Sequence, residues 1–337
     1  MRRGGQILSA LLGLVVSCTS PPVWTSDYSD DQNWFLAAAP RGDELLIAGG
    51  QPGPTASQAG RGRLLIRGAG PSGEYRALPS PQPGMLWWVH APSGLPAAWL
   101  CGENGSVLRY EPAGSGTLTA VVTSSRATLY GIWAFSDDDV WAVGGEPGGS
   151  GVILHGGRGG FAVDSTAPAT ATLYKLWASD PENLVVVGQD GTLLRRVRQA
   201  GGLSWIRDAS PVRDRLLTTW GTAADAVYAV GGLGNARLLR FDGQSWQSDS
   251  AVAELSGLAG LHIDAEQLLV AGQGGLIASR AASAAPGTAL SVIEPLTTLD
   301  LHAAVSAPGA RWAVGGNLSQ YPVQPPRGIV LRQGRAF

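Results

Sequence analysis

The chain has 337 residues, a length that fits either one large all-β domain or two average domains, so internal repeats must decide the domain count. Hydrophobic residues make up 44% and charged residues only 15%, with 48 Gly, 22 Pro and 12 Trp, a composition that favours short strands and tight turns over long charged helices. A net charge of −2 without a Lys/Arg cluster excludes the concentrated basic surface by which proteins bind nucleic acid.

The N-terminal segment predicts export. Residues 1–17 read MRRGGQILSALLGLVVS, in which Arg2 and Arg3 precede an apolar run too short to span a membrane, a pattern typical of a secretory signal peptide. The run ends V-V-S-C, which resembles the lipobox of bacterial lipoproteins. The resemblance implies cleavage before Cys18 and lipidation of its thiol. The alternative is an ordinary secretory signal followed by an incidental cysteine.

The lipobox resemblance also implies a cellular location. A triacylated Cys18 carries enough hydrocarbon for stable anchoring in a membrane. Thr19 follows Cys18, whereas Asp at this position retains many Gram-negative lipoproteins in the inner membrane. We therefore expect a lipid-anchored protein of the cell envelope, in the outer membrane.

One short strand recurs seven times along the rest of the chain, as in DVWAVGG at 139–145 and AVYAVGG at 226–232. Each copy contains a glycine at the same place, which we call the repeat glycine, and consecutive repeat glycines are 41 to 53 residues apart. A period near 43 fits one four-stranded blade of a β-propeller. The repeat glycines are Gly49, Gly102, Gly144, Gly188, Gly231, Gly272 and Gly315.

Other parts of the unit recur at consistent offsets and define strands a to d of a blade. Trp133, Trp177 and Trp220 each lie on strand a, eleven residues before a repeat glycine, and the recurrent strand itself is strand b. Strand c reads RLLRFDG at 237–243 and strand d reads SWQSD at 245–249. Glycine after strand b permits positive φ in the b–c turn, and acidic clusters mark the a–b turns.

The two ends of the chain complement each other. The last repeat stops after strand c, and PVWTSD at 22–27 matches the strand-d pattern. We therefore predict an all-β, seven-bladed β-propeller closed by an N-terminal strand that completes the last blade and leaves no open sheet edge. The predicted single domain is 18–337, with blades at about 33–78, 85–122, 128–165, 172–208, 215–249, 257–292 and 299–334 plus 22–27.

The unit L-x-x-x-W-x-x-x-x-x-D-V-W-A-V-G, followed by L-L-R-F-D-G-x-x-W, resembles the repeats of secreted and lipoprotein propellers of myxobacterial type. Residues 226–246 are also similar to a kelch unit. WD-repeat signatures are absent, and so is the S-x-D-x-G-x-T-W box of sialidases and related photosystem assembly factors. The resemblance implies a fold and no particular activity.

Several motifs have simple structural interpretations. Gly232, Gly234 and Ala236 spell G-x-G-x-x-A after a strand, but no helix follows, so we expect a b–c turn and no nucleotide site. Cys101 lies inside a strand-b pattern, between Leu100 and Gly102, where a free thiol is expected to be a small apolar core residue. The tryptophans of strand a are expected to pack blade against blade, with sugar stacking as an alternative. We predict no cofactor.

Metal binding and acid–base catalysis are not predicted either. His90, His262 and His302 lie on predicted strands a, but they stand 12, 10 and 13 residues before their repeat glycines, so their registers disagree; His155, the fourth histidine, lies on a predicted strand c. The acidic residues of the a–b turns are explained by turn capping. They are Asp137, Asp138, Asp139, Asp180, Glu182, Asp225, Asp264 and Glu266.

Loop length singles out one region of the predicted ring. The b–c connections are long only in the first and last repeats, at Gln51–Gly62 and Asn317–Arg327, which become neighbours when the ring closes. With the Pro-rich d–a connector Pro79–Gly84 they are expected to form one raised patch, the closure-seam patch. The alternative is tolerated insertion. The candidate binding residues of the closure-seam patch are Gln51, Gln58, Asn317, Gln320 and Tyr321.

These observations favour a non-catalytic envelope lipoprotein that serves as a docking platform for another envelope protein or a surface glycan. The main alternative is an enzyme acting on polysaccharide or peptidoglycan at the mouth of the central channel, and a third is a structural role in a lipoprotein assembly. Because the N-terminal strand starts at the a–b turns, this face is expected to lie against the membrane, although its acidic turns would be repelled by anionic lipid.

Overall fold

The structure, a computed structural model, describes residues 23–54, 58–70 and 73–334. These residues form seven four-stranded antiparallel sheets, and the predicted all-β, seven-bladed propeller is confirmed. Strand a is innermost in each blade and strand d outermost. The predicted signal peptide and Cys18 lie outside the described residues.

Six blades are formed by four consecutive strands each, and blade seven by the first strand and the last three. The first strand is β1 (Val23–Asp30). Blades one and two contain β2 (Trp34–Arg41), β3 (Glu44–Gln51), β4 (Arg61–Arg67), β5 (Tyr75–Pro83), β6 (Leu86–His90), β7 (Ala98–Gly102), β8 (Val107–Glu111) and β9 (Thr117–Val121). Blades three and four contain β10 (Leu129–Ala134), β11 (Val140–Gly145), β12 (Gly151–Gly157), β13 (Gly160–Val163), β14 (Leu173–Asp180), β15 (Asn183–Gly188), β16 (Leu193–Gln199) and β17 (Gly202–Arg207). Blades five to seven contain β18 (Leu216–Ala223), β19 (Ala226–Gly231), β20 (Arg237–Phe241), β21 (Trp246–Ser248), β22 (Leu258–Ile263), β23 (Gln267–Gly272), β24 (Ile277–Ala281), β25 (Ser291–Ile293), β26 (Asp300–Ala307), β27 (Ala310–Gly316) and β28 (Gly328–Gly334).

The ring closes through β1, which pairs with β28 and completes blade seven. The pairing runs from Val23 opposite Gly334 to Asp30 opposite Gly328, so the strand is longer than the predicted 22–27. Asp27, at a β-bulge, accepts hydrogen bonds from Arg67 Nε and the Tyr75 hydroxyl of blade one, each at 2.6 Å. The closing strand is therefore tied both to the last blade and to the first.

Blade one departs from the prediction at its outer edge. Residues 79–83 of the predicted connector Pro79–Gly84 belong to β5, which extends beyond the predicted blade end at 78. Alternate prolines are tolerated there because strand d is an edge strand, where a missing N–H removes no bond from the ladder. The strand then turns at Gly84, whose N–H donates to the carbonyl of Gly60 at 2.8 Å.

The repeat glycines at the end of strand b have a role of their own, separate from that of the glycine in the b–c turn. Gly102 and Gly188 have φ of −167° and −164°, an extended conformation open to any residue, so positive φ is not their function. A Cβ on Gly144 would lie 1.9 Å from the carbonyl oxygen of Thr128, and the other six glycines meet an equivalent carbonyl at 2.0 to 2.4 Å. The predicted positive φ belongs to the glycine after strand b, as at Gly232 with +86°. Glycine is required because two backbones approach closely.

That close approach accompanies an irregularity in every blade. Each repeat glycine pairs with a residue of strand a immediately before a shift of register, so one residue of each innermost strand has no partner on strand b. Such a β-bulge changes the direction in which the side chain of the extra residue points.

The helical structure among the described residues consists of three-residue 3₁₀ turns. None of the helices described is long and apolar enough to cross a membrane.

Candidate functional site: the mouth of the central channel

The seven unpaired residues of the strand-a bulges form a ring, which we call the bulge ring. All seven line one cavity of about 420 Å³. Residues of the b–c connections, including Leu233, Gln273 and Leu318, border the same cavity, so it opens on the face opposite the a–b turns. The bulge ring consists of Leu36, Trp87, Tyr130, Tyr174, Leu217, Ala259 and His302.

One side of the bulge ring is aromatic. The Trp87 and Tyr130 rings meet edge to face with centroids 5.1 Å apart, and Tyr130 meets Tyr174 in the same way at 5.6 Å. Tyr174 donates its hydroxyl hydrogen to Gln189 Oε1 at 2.8 Å. The indole N–H of Trp87 is buried and finds no acceptor among the described residues. The wall thus consists of aromatic rings in mutual contact and contains one buried donor without an acceptor among the described residues.

Lys175 follows the bulge residue of blade four and contributes its side chain to the cavity. The residue is only 9% exposed. Its ammonium donates to the carbonyl of Tyr130 at 2.6 Å and lies 4.3 Å from the ring centroid of Trp88. Because Tyr130 belongs to blade three and Trp88 to blade two, the lysine side chain extends from blade four past blade three to blade two. Burial lowers the pKa of Lys175 to about 8.

Three titratable groups near this lysine are uncharged near pH 7. Burial lowers the pKa of His302 to about 4 and raises the pKa of Cys101 to about 12 and that of Tyr130 to about 12. None of the ion pairs formed among the described residues involves Lys175. The lysine is therefore a buried cation without a counter-ion in the described part of the chain.

The rim of the cavity carries one further cation and one carboxylate. Arg215 lines the cavity and takes part in no ion pair with another described residue. Asp300 is the single carboxylate among the lining residues, and its two oxygens accept hydrogen bonds from the N–H of Gly274 at 3.0 Å and the hydroxyl of Ser319 at 2.7 Å. The lining therefore has two cationic side chains and one carboxylate, an excess of positive charge.

A second layer closes the channel below the cavity. Its seven members sit three residues after the bulge residues and pair with the strand-b residue three before the repeat glycine. Trp133 and Trp220 belong to blades three and five, so these tryptophans meet across the channel and do not only pack blade against blade as expected. The layer consists of Ala39, His90, Trp133, Trp177, Trp220, His262 and Val305.

The conclusion that the histidine registers disagree was wrong for one pair. His90 and His262 occupy equivalent positions in the second layer, because His90 pairs with Trp99 and His262 with Leu269. The spacings from the repeat glycines differ only because the a–b turns differ in length. His90 accepts a hydrogen bond from the N–H of Ala134 at 2.9 Å, and no group of three candidate metal ligands occurs among the described residues.

The closure-seam patch has its two loops in contact. The hydroxyl of Tyr321 donates to the carbonyl of Gly53 at 2.7 Å, which joins the last repeat to the first. Asn317 is 1% exposed; it accepts hydrogen bonds from the Trp34 indole and the N–H of Arg327, so it supports the loop from inside. Of the other candidates, Gln51 and Gln58 are exposed and Gln320 is half-buried. A binding role for this patch stays a prediction.

The patch and the channel mouth adjoin each other. Leu318 and Ser319 belong to the long loop of the last repeat and also line the cavity. The acidic a–b turns, in contrast, lie at the other end of the blades and follow turn chemistry: Asp264, for example, accepts hydrogen bonds from the N–H groups of Glu266 and Gln267. The G-x-G-x-x-A stretch is a short turn in which Gly232 and Gly234 have positive φ.

Sequence reasoning missed Lys175, although two signals mark it. It is the only lysine among 337 residues, in a chain with 24 Lys and Arg in total. It also stands two residues after Leu173, the partner of a repeat glycine, which places it beside the bulge. Both signals are readable in LYKLWASD, the strand-a sequence of the fourth repeat.

Comparisons with known proteins agree on the fold alone. No protein-family model and no curated protein matches the chain. A solved structure of YCF48 bound to a D1 peptide is similar with a TM-score of 0.54 and 19% identity, covering 75% of this chain and 79% of its own. The WD40 β-propeller domain of Doa1 is similar with a TM-score of 0.66 and 8% identity, covering 92% of this chain and 97% of its own. The chain therefore has the β-propeller fold of these proteins without the sequence signature of WD repeats.

Proposed function

We propose that this protein is a lipoprotein of myxobacterial type, anchored through Cys18 in the outer membrane, and that it is a non-catalytic docking platform. Its channel mouth binds a segment of another envelope protein. The observation that carries the proposal is the cavity of about 420 Å³, which is ringed by seven bulge residues and closed below by tryptophans. A concave, largely apolar pocket with a few convergent polar groups is the usual form of a binding site.

The position of β1 supports this orientation on a membrane. Val23 pairs with Gly334, which also pairs with Ala310 at the a–b turn of blade seven, so the N-terminal strand starts on the a–b face. Cys18 precedes Val23 by five residues. With a lipid on Cys18, the a–b face lies towards the membrane and the channel mouth points away from it, where a partner has access.

The acidic a–b turns are less repelled by an anionic leaflet than their sequence suggests. Several of their carboxylates are paired with arginines of neighbouring strands and turns, which offsets their charge. The pairs are Asp137 with Arg109, Asp138 with Arg158, Glu182 with Arg198 and Glu266 with Arg311.

The lining favours docking over glycan hydrolysis. Glycosidases use a pair of carboxyl groups on either side of the scissile bond. Among the described residues that line the cavity, Asp300 is the only carboxylate and both of its oxygens are occupied by hydrogen bonds. A neutral sugar has no anionic group that could pair with the buried ammonium of Lys175. The presence of a D1 peptide on YCF48, a propeller of similar architecture, also supports a protein segment as the ligand.

Two matched substitutions in blade six test the docking site. Ala259→Trp fills the bulge ring at a position where blade two already has Trp87, whereas Ala265→Trp adds the same side chain to an exposed a–b turn on the opposite face. Crosslinked partners are recovered from membranes with the full-length protein and each variant. We expect Ala259→Trp to lose one protein partner that Ala265→Trp retains.

Further arms of the same experiment separate the alternatives. Shortening Gln51–Gly62 and Asn317–Arg327 to tight turns tests whether the closure-seam patch contributes to docking. A mouth-dependent partner that is removed by glycosidases and not by proteases would identify a glycan instead. If wild type and Ala259→Trp recover the same partners, the channel mouth is not the docking site.

The anchor has its own test. Cells are supplied with an alkyne-bearing fatty acid, and incorporation into the full-length protein is compared with incorporation into Cys18→Ser. We expect the label only in the protein that retains Cys18. Equal labelling of both proteins, or labelling of neither, would contradict a lipid on Cys18.

A further inference from the structure

The buried lysine of the channel mouth points to the chemistry of the ligand, an inference that rests on the proposed function. We propose that the docked protein segment presents a carboxylate group to Lys175, and that this ion pair is the specific contact at the base of the cavity. The apolar part of the segment lies against Leu36, Leu217 and Ala259.

The first argument is the missing counter-ion. Burial of a charge is strongly unfavourable unless an opposite charge and hydrogen bonds compensate it. Lys175 is 9% exposed, and its ammonium has a carbonyl and an aromatic face as partners in the described part of the chain. A ligand carboxylate supplies the opposite charge that the chain itself does not bring to this position.

The second argument is that the fold does not need a lysine here. The equivalent residue directly after the bulge is Ala37, Trp88, Gly131, Thr218, Gly260 and Ala303 in the other six blades. The other six blades thus have an uncharged residue at this position. The space for the lysine is also provided by a neighbour: a Cβ on Gly131 would lie 3.1 Å from the Cα of Lys175.

The third argument is the supply of donors around the lysine. Arg215 lines the same cavity as Lys175 and has no ion pair with another described residue, and Trp87, also a lining residue, has a buried indole N–H without an acceptor in the described part of the chain. A carboxylate has two oxygens and about four lone pairs, so it accepts several such donors at once. The donor set fits an anion better than a neutral amide or hydroxyl group.

The carboxylate of a protein segment has two sources, the chain terminus or an Asp or Glu side chain, and three probe peptides distinguish them. They are N-acetyl-Ala-Phe as the free acid, the same peptide as the C-terminal amide, and N-acetyl-Glu-Phe amide. Because the chain contains one lysine, full-length protein labelled with ¹³C-lysine in mild detergent gives one set of lysine signals that needs no assignment. Each probe is titrated to millimolar concentration while the ¹³Cε signal of Lys175 is recorded.

We expect the free acid or the glutamyl peptide to shift the signal of Lys175 and to raise its titration midpoint above the value near 8 of the free protein. The neutral amide should leave both unchanged. For Lys175→Met, binding is followed by Trp fluorescence, and affinity for the active probe should fall at least tenfold. The control Arg213→Met removes one exposed positive charge from the same face and should retain full affinity.

The proposal is overturned if acid and amide peptides give the same shifts, if none of the probes perturbs Lys175, or if Lys175→Met binds the acid as wild type does. This failure is distinct from a failure of docking. A partner that Ala259→Trp loses and Lys175→Met retains would leave the docking site in place and remove the carboxylate contact.

Discussion

The indole rings of Trp133 and Trp220 lie 5.5 Å apart, centroid to centroid, although their strands belong to blades three and five. Trp133 also stacks on His90 at 3.9 Å, and Trp220 lies 4.9 Å from His262. These rings occupy the axis of the propeller below the bulge ring. The cavity at the channel mouth consequently has a base of packed aromatic rings.

Removal of one of these rings should weaken the fold. Trp133→Ala leaves a void that neighbouring blades cannot fill, and we expect the free energy of unfolding to fall by about 3 kcal/mol. Val122→Ala, at a side chain that is 79% exposed, is the control and should change it by less than about 0.5 kcal/mol. Urea unfolding at equilibrium measures both. A loss below about 1 kcal/mol for Trp133→Ala would mean that the rings contribute little to holding the blades together.

Lys175→Met should stabilise the free protein while it removes carboxylate binding. Folding lowers the pKa of Lys175 from 10.5 to about 8, so below pH 8 the buried charge destabilises the folded state. Between pH 8 and 10.5 only the unfolded chain keeps the lysine protonated, and the free energy of unfolding of the wild type therefore rises with pH. We expect the free energy of unfolding of Lys175→Met to exceed that of the wild type by about 2 kcal/mol at pH 7, and this difference to shrink above pH 8. A destabilised variant would indicate a structural role for the lysine.

Mild acid should destabilise the protein through its buried histidines. Burial lowers the pKa of His90 to about 3 and those of His262 and His302 to about 4, whereas the unfolded groups titrate near 6.5. Unfolding therefore takes up protons between pH 6.5 and 4, and the free energy of unfolding falls by about 1.4 kcal/mol per pH unit for each histidine. His262→Phe should reduce this slope by about one proton, as measured by urea unfolding across that range. An unchanged slope would contradict a neutral His262 in the fold.

The ion pair of Asp249 and Arg280 should be the most sensitive in the described chain. Their side chains are 1% and 4% exposed, and Asp249 also accepts hydrogen bonds from the N–H groups of Ala251 and Gly287. Asp249→Asn leaves a buried guanidinium without its counter-ion and should cost about 3 kcal/mol. In the exposed pair of Asp138 and Arg158, Asp138→Asn should cost less than about 1 kcal/mol.

The double variant Asp249→Asn, Arg280→Met checks the origin of that effect. If the loss comes from the unpaired charge, removal of the guanidinium should recover part of it in the same unfolding measurement. Equal losses in the single and double variants would instead assign the effect to the hydrogen bonds of Asp249.

The architecture was readable from the sequence because the repeat glycines, the strand patterns and the terminal strand all specify the same blade. The prediction that β1 completes the last blade depended on a short d-strand match, and Trp24, 5% exposed, fills the position that Trp246 fills in blade five. The extension of β5 to Pro83 was missed because proline normally marks the end of a strand, a rule that does not apply at an edge.

The site was less readable because it depends on register across strands. Counting residues from a repeat glycine includes the a–b turn, whose length varies, and this placed His90 and His262 at different levels. Counting from the apolar residue that pairs with the repeat glycine, such as Leu173, identifies the bulge residue and Lys175 directly. The sequence shows the charge of Lys175, but its burial depends on residues of other blades and follows only from the three-dimensional arrangement of the strands.

The bulges also separate two kinds of sequence change. A bulge residue has no partner on strand b, so replacing it leaves every cross-strand hydrogen bond of its blade in place, whereas replacing the repeat glycine opposite brings a side chain into a neighbouring carbonyl. The ring already holds Trp, Tyr, Leu, Ala and His at the same register position of its seven blades. Selectivity can therefore diverge one blade at a time at the entrance while the hydrogen-bonded framework is inherited unchanged, and a library restricted to these seven positions would sample new ligands on a constant scaffold.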